Sequence, residues 1–200
     1  MAGLEEEWST LVSDIHFKRY GDALQKLQTI MFSRDAGSML TARLRVSELL
    51  RKTAFSYLKL MAQKSIQDKL NMLQFLLDAF TCTHDRESQL VVRYEALILR
   101  EFDVRIGPQL NVYIDEWVCF AEDCLNNGFI PNAIKGFDKA LLYLDSLNNA
   151  NQMAEELCKC REKADAIREI RDLAQNMLSA DSGMQYLKFY SLMFHFLRSQ

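Results

Sequence analysis

Glycine and proline are scarce. The 200 residues include seven glycines and two prolines, too few for the many tight turns of an all-β chain, so long helices are expected. Apolar runs are short as well, and none approaches the roughly 18–20 residues that a membrane-spanning helix needs. The opening MAGLEEEW lacks both the basic flank and the apolar centre of a secretory signal. Basic charge is not in excess: a net charge of −3 and a pI near 5.7 exclude a chain that is polybasic throughout, while leaving room for a local patch. The five cysteines are an odd number in mostly apolar helical contexts, which fits a reducing compartment better than a disulfide framework. These absences together point to a soluble intracellular protein with no membrane partner.

Signatures of chemistry are missing too. Cys158 and Cys160 are separated by one residue and Cys119 and Cys124 by four, whereas zinc knuckles use a gap of about two. His16, His84 and His195 stand singly. Cys119 and Cys124 follow Trp117 on or near an apolar stripe and are expected in the core, where cysteine behaves as a small hydrophobe. Glu122 and Asp123 are neighbours on a helix, pointing about 100° apart rather than at one substrate. No glycine-rich phosphate loop and no nucleophile elbow occurs. The expectation is a protein that is not an enzyme, with no metal, no cofactor and no small-molecule substrate.

What the sequence has instead is helical periodicity. In residues 115–144, Trp117, Phe120, Ala121 and Cys124 fall on one face of a helix. Asn126, Asn127 and Gly128 break the pattern, and Pro131 suits the first turn of a second helix. That helix presents Ala133, Ile134, Phe137, Ala140, Leu141 and Leu144, small residues flanking large ones, as close helix packing requires. Trp117, Phe120, Phe137 and Leu141 should therefore be buried together. The order of these residues resembles the tetratricopeptide repeat. The resemblance implies an all-α array of tetratricopeptide-like antiparallel helical hairpins, about eight or nine helices, working through interaction.

The rest of the chain reads the same way. Residues 4–17 and 22–32 form two short helices with Tyr20 and Gly21 at the bend. SRDAGS at 33–38 is a loop, and a long helix over 39–63 carries Leu40, Leu44, Ser47, Leu50, Ala54, Tyr57 and Met61 on its expected apolar face. Helices beginning at Ser65 and Asp85 follow, and Gly107 and Pro108 stop the second. A helix over 152–177 keeps Met153, Leu157, Cys160, Ala164, Ile167, Arg171, Ala174 and Leu178 at alternating steps of four and three, the spacing of a packed seam. One helical domain over 1–200 is expected, with a weaker sub-unit at 1–35 and an apolar terminal helix at 183–198.

Two stretches are candidate interaction surfaces. Residues 43–64 carry six basic residues against one acid, Glu48, and Arg45, Lys52 and Lys59 lie seven apart, on nearly one helix face with a drift of about 20° per step. Residues 184–197 are apolar nearly all round, so such a helix needs cover on more than one side. Its aromatic residues Tyr186, Phe189, Tyr190 and Phe194 are the anchors if it docks on a partner.

Arg93-Tyr94-Glu95-Ala96-Leu97, then Trp117, Phe120-Ala121-Glu122-Asp123, Leu125, Gly128-Phe129 and Ala133 resemble the plant DOUBLE-STRAND BREAK FORMATION family over roughly 49–144. That resemblance implies a nuclear, non-enzymatic scaffold required for the programmed DNA breaks that start meiotic recombination. It also implies that the scaffold works beside other proteins of the break-forming machinery, and it leaves direct DNA contact open. The competing expectation is a cytoplasmic tetratricopeptide-like adaptor in vesicle traffic or chaperone assembly.

Overall fold

A computed structural model describes residues 2–32, 36–61, 63–101, 110–150 and 154–180. Among them every regular element is a helix: α1 Ala2–His16, α2 Tyr20–Phe32, α3 Ala36–Met61, α4 Ile66–Cys82, α5 Arg86–Glu101, α6 Leu110–Asn126, α7 Ile130–Ala150 and α8 Ala154–Ala180. The all-α expectation and the helix count both hold. The described residues fall into two compact units, the first running to Ala96 and the second beginning at Leu97.

In the first unit, α2 packs against α1, α3 and α4, and α3 packs against α4. Its core is Leu11 and Ile15 of α1, Ala23 and Leu27 of α2, Val46, Leu50, Ala54 and Leu58 of α3, and Met72, Leu73 and Leu76 of α4. Tyr20 stacks on Phe75 with ring centroids 5.2 Å apart, and the Tyr57 hydroxyl donates to the Val12 carbonyl at 3.2 Å. Ser65 caps α4, its hydroxyl accepting from the Asp68 amide, which satisfies one otherwise orphaned donor of the first turn.

The second unit centres on α6 and α7, with α8 packed on α7. Trp117, Phe120 and Phe137 are fully buried, and the Trp117 and Phe120 rings meet edge to face at 5.8 Å, a favourable aromatic geometry. Gly136 is what lets the two helices meet. A Cβ there would lie 2.9 Å from Ala121 Cβ and 3.3 Å from Ala121 Cα, so the backbones touch through a glycine and an alanine.

Three turns share one construction. After α1, Lys18 N–H donates to Ile15 O and Arg19 N–H to Asp14 O; after α4, His84 donates to Thr81 and Asp85 to Phe80; after α6, Gly128 donates to Leu125 and Phe129 to Cys124. Each pair is the double hydrogen bond that closes a helix through one left-handed residue. Those residues are Lys18 at φ 57°, His84 at φ 54° and Gly128 at φ 79°.

Several side-chain expectations are corrected. Tyr20 and Gly21 open α2, and the bend is formed by Phe17 to Arg19 around Lys18; the glycine drew the reading although a lysine took the left-handed state. Leu44 is 65% exposed, and the buried line of α3 is Val46, Leu50, Ala54, Leu58 and Met61. Leucines at 44, 49, 50, 58 and 60 occupy nearly every side of that helix, so its periodicity is degenerate and the neighbouring helices choose the face. Leu141 is half-buried rather than sealed with Trp117, and Cys119 is exposed whereas Cys124 is buried. On α8, Ala164, Ile167 and Ala174 are buried, and the seam arginine is accommodated because Arg171 Nε donates to Asp138 of α7 at 2.9 Å.

Candidate interaction surface

Arg45, Lys52 and Lys59 are all exposed on α3. The helix holds them on its outer side because Val46, Leu50, Ala54 and Leu58 turn inward, and residues at +7 from one another share a face. Glu48 lies between the first two. Lys52 Nζ donates to it at 2.7 Å, and that hydrogen bond, with Arg45 adding attraction, holds the Glu48 carboxyl below its usual range. Lys59 Nζ lies 4.2 Å from the centroid of the Phe55 ring, a cation–π geometry that leaves the ammonium wet. Exposed Leu60 and Leu44 flank the basic line. Of the two, Leu44 is expected on the apolar face from sequence, and the structure places it outside.

The other basic residues of this helix do different work. Arg51 turns toward α5 and forms a fork on Asp85, Nε to Oδ2 at 2.7 Å and the second nitrogen to Oδ1 at 2.8 Å. Asp85 is buried and caps α5, accepting from the Ser88 amide at 3.2 Å and from the Ser88 hydroxyl at 2.7 Å. Burial pushes the Asp85 carboxyl up, but the hydrogen bonds from Arg51 and Ser88 outweigh it and hold the group below the usual carboxylate range. Asp14 has a parallel role at the first turn, where it is buried and receives Lys26 and, at 2.6 Å, Arg19. The Lys26 hydrogen bond lowers its pKa first, with both cations adding to it against burial. Neither carboxylate was picked out by sequence, although Asp85 three residues before Ser88 is a helix-start pairing that could have been read.

These arrangements join helices. Asp14 and Asp85 are each occupied by basic partners, and among the described residues no group of three or more histidine, cysteine, aspartate or glutamate side chains could hold a metal ion. No described helix is long and apolar enough to cross a membrane. Tyr186, Phe189, Tyr190 and Phe194 lie outside the described residues.

The molecule is thus an all-α protein built on helical hairpins, with ionisable groups that close turns, pair between helices and line one exposed helix face. The chain is 30% identical over 163 residues to Protein DOUBLE-STRAND BREAK FORMATION of Arabidopsis thaliana, a match spanning 82% of this chain and 70% of that protein. It belongs to the DOUBLE-STRAND BREAK FORMATION family. No family profile matches the chain, and no solved structure matches it.

Proposed function

We propose that the chain is a non-enzymatic nuclear scaffold required for programmed DNA double-strand break formation at the start of meiotic recombination. The observation that carries this reading is the 30% identity to a relative of that name along most of both chains. The helical hairpins, of tetratricopeptide-like kind, would hold other proteins of the break-forming machinery, and the exposed line Arg45, Lys52 and Lys59 on α3 would meet duplex DNA. Three exposed cations at one-heptad spacing span about 21 Å at ~1.5 Å per residue, long enough to follow several phosphates. Meiocytes lacking the protein should form few or no programmed breaks, counted as repair foci; a normal count would end the proposal.

The DNA contact is tested separately by reversing Arg45, Lys52 and Lys59 to glutamate. With helicity unchanged by circular dichroism, the logarithmic salt slope of duplex binding should fall by about 2–3 units. An unchanged slope would return α3 to a solvated surface, and the scaffold role would then rest on protein contacts alone.

A further inference from the structure

The turn after α1 holds an aromatic ring in water. Phe17 is 66% exposed, and a lone apolar side chain on a surface needs no explanation. Phe17 is not alone. The Arg19 guanidinium lies over its ring, 5.4 Å from the centroid, and the His16 imidazole meets it edge to face at 5.4 Å. His16 in turn lies 6.4 Å from the Tyr57 ring of α3. Three rings and a guanidinium thus form a continuous π surface from the turn to α3. Each end of it is fixed from within. The Phe17 amide donates to Ser13 O at 3.0 Å, immediately before the two hydrogen bonds that close the turn. Arg19 is tied to the buried Asp14 carboxylate at 2.6 Å, and the Tyr57 hydroxyl to the Val12 carbonyl at 3.2 Å. A flat ligand settling on a surface already held in this way orders few further groups, which favours binding.

The charge around the rings decides which flat ligand fits. Asp14 is shared by Arg19 and Lys26, and Asp68 is paired with Lys18 at 2.6 Å. The Lys18 hydrogen bond, first, and the attraction of nearby Lys64 among the lesser causes hold the Asp68 carboxyl below its usual range. Exposed Asp22 borders the same cavity as Asp14, Arg19 and Lys26 and takes back one charge, so the four cations Lys18, Arg19, Lys26 and Lys64 still outnumber the three carboxylates. A cationic ligand seeking an aromatic cage would meet that excess, and one face of Phe17 is already given to Arg19. An anionic chain carrying aromatic groups suits both features. Nucleic acid is such a chain, and stacking needs a free base face, which a duplex keeps inside and a single strand exposes. Leu60 of α3, 63% exposed, joins the rings to the basic line, lying about 60° round the helix from Tyr57 and about 100° from Lys59 at ~100° per residue.

We propose that the turn between α1 and α2 binds single-stranded DNA, with an unpaired base stacked on Phe17 beside Arg19 and His16 and the adjoining phosphates drawn to Lys18 and Lys64. The stacking site stands without the duplex contact on α3; only the choice of DNA over RNA rests on the function proposed above. The test uses the full chain and the fluorescence anisotropy of a labelled oligothymidylate of about 16 nucleotides, long enough for the sites such surfaces cover. Phe17→Ala should weaken its binding by about five- to a hundredfold, the range for losing one base stack, with the salt slope unchanged because no cation is removed. Phe17→Trp should restore it, and a duplex of the same length should bind both variants as it binds the parent. If alanine loosens the turn in a thermal melt, Phe17→Leu keeps the bulk, removes the π face and should show the same loss. A parent that does not bind oligothymidylate, an unchanged affinity in Phe17→Ala, or equal losses for duplex and single strand would overturn the proposal. So would undiminished binding of an abasic oligomer, which would leave charge alone at work, tighter binding of oligouridylate, which would make RNA the ligand, or Phe17-dependent binding of polyglutamate, which would make the occupant an acidic protein. The triple reversal of Arg45, Lys52 and Lys59 to glutamate keeps the two DNA contacts apart: the Phe17 effect on the single strand should persist in it, and its disappearance there would refute a separate site.

Discussion

The turn after α1 and the turn after α6 have the same two hydrogen bonds and the same left-handed residue between them, yet they are held by different means. At α6 the special backbone falls to Gly128, which adopts φ 79° without steric cost, and the hairpin is closed by contact, with Gly136 against Ala121 and the Trp117, Phe120 and Phe137 rings sealed inside. In the first unit Lys18 and His84 occupy that backbone state, which costs a residue with a Cβ roughly 1–2 kcal/mol. Beside each of those turns stands a buried carboxylate with basic partners, Asp14 with Arg19 and Lys26, Asp85 with Arg51. A hairpin can thus be fixed by shape, which solvent conditions barely touch. It can also be fixed by charge, which acid can remove.

The contrast is sharpened most by attacking the shape-held hairpin. Trp117→Ala should cost about 3–5 kcal/mol by emptying a fully buried site, and a denaturant melt like the parent's would refute the packing. Gly136→Ala should cost about 1–3 kcal/mol, because the added Cβ meets Ala121 backbone as well as side chain and the helices must part.

Charge-held turns should respond to pH. Asp85→Ala should lose about 2–3 kcal/mol at neutral pH, combining a helix cap worth ~1 kcal/mol with charge-assisted bonds worth ~1.5–3, discounted because Arg51 is about a third exposed and regains water. Asp85 has a depressed folded-state pKa. Its contribution is therefore present above the ordinary aspartate range and lost as the pH falls through the folded value. Urea titrations at descending pH should show parent and Asp85→Asn converging in acid; a gap that stays constant would mean the carboxylate's charge is not what holds the turn.

Exchanging the left-handed residue itself gives the smallest effects, with opposite signs in the two units. Gly128→Ala should destabilise by about 1 kcal/mol, and His84→Gly should stabilise by up to about 0.5–1 kcal/mol, the strain relieved being partly offset by a freer unfolded chain. If His84→Gly melts below the parent, the imidazole makes a contribution that the backbone argument omits.

This difference also explains what was legible in the sequence. Residues 115–144 could be read nearly to the side chain, because glycine, proline and alternating small and large apolar residues carry their geometry in their identity. Only Leu141 and Cys119 were misplaced there, both at the edge of the stripe. The first unit was harder. Nothing about a lysine or a histidine announces a left-handed backbone, and Asp14 and Asp85 become special only when Lys26 and Arg51 arrive from other helices. Arg45, Lys52 and Lys59 were correctly placed on one exposed face because charge at +7 spacing has few other places to go. Arg51, chemically the same, was inward because α5 offered it a buried partner.

The fork between Arg51 and Asp85 also bears on the order in which the chain folds. The three turns close through neighbours a few positions apart, so they can form within microseconds of collapse. Arg51 and Asp85 are 34 residues apart, and bringing them together restricts all of α4 before the two charges repay that loss of freedom. The fork should then lock after the helices have docked, acting as a late latch. Cutting it would leave the folding rate almost as it was and let the finished structure open sooner.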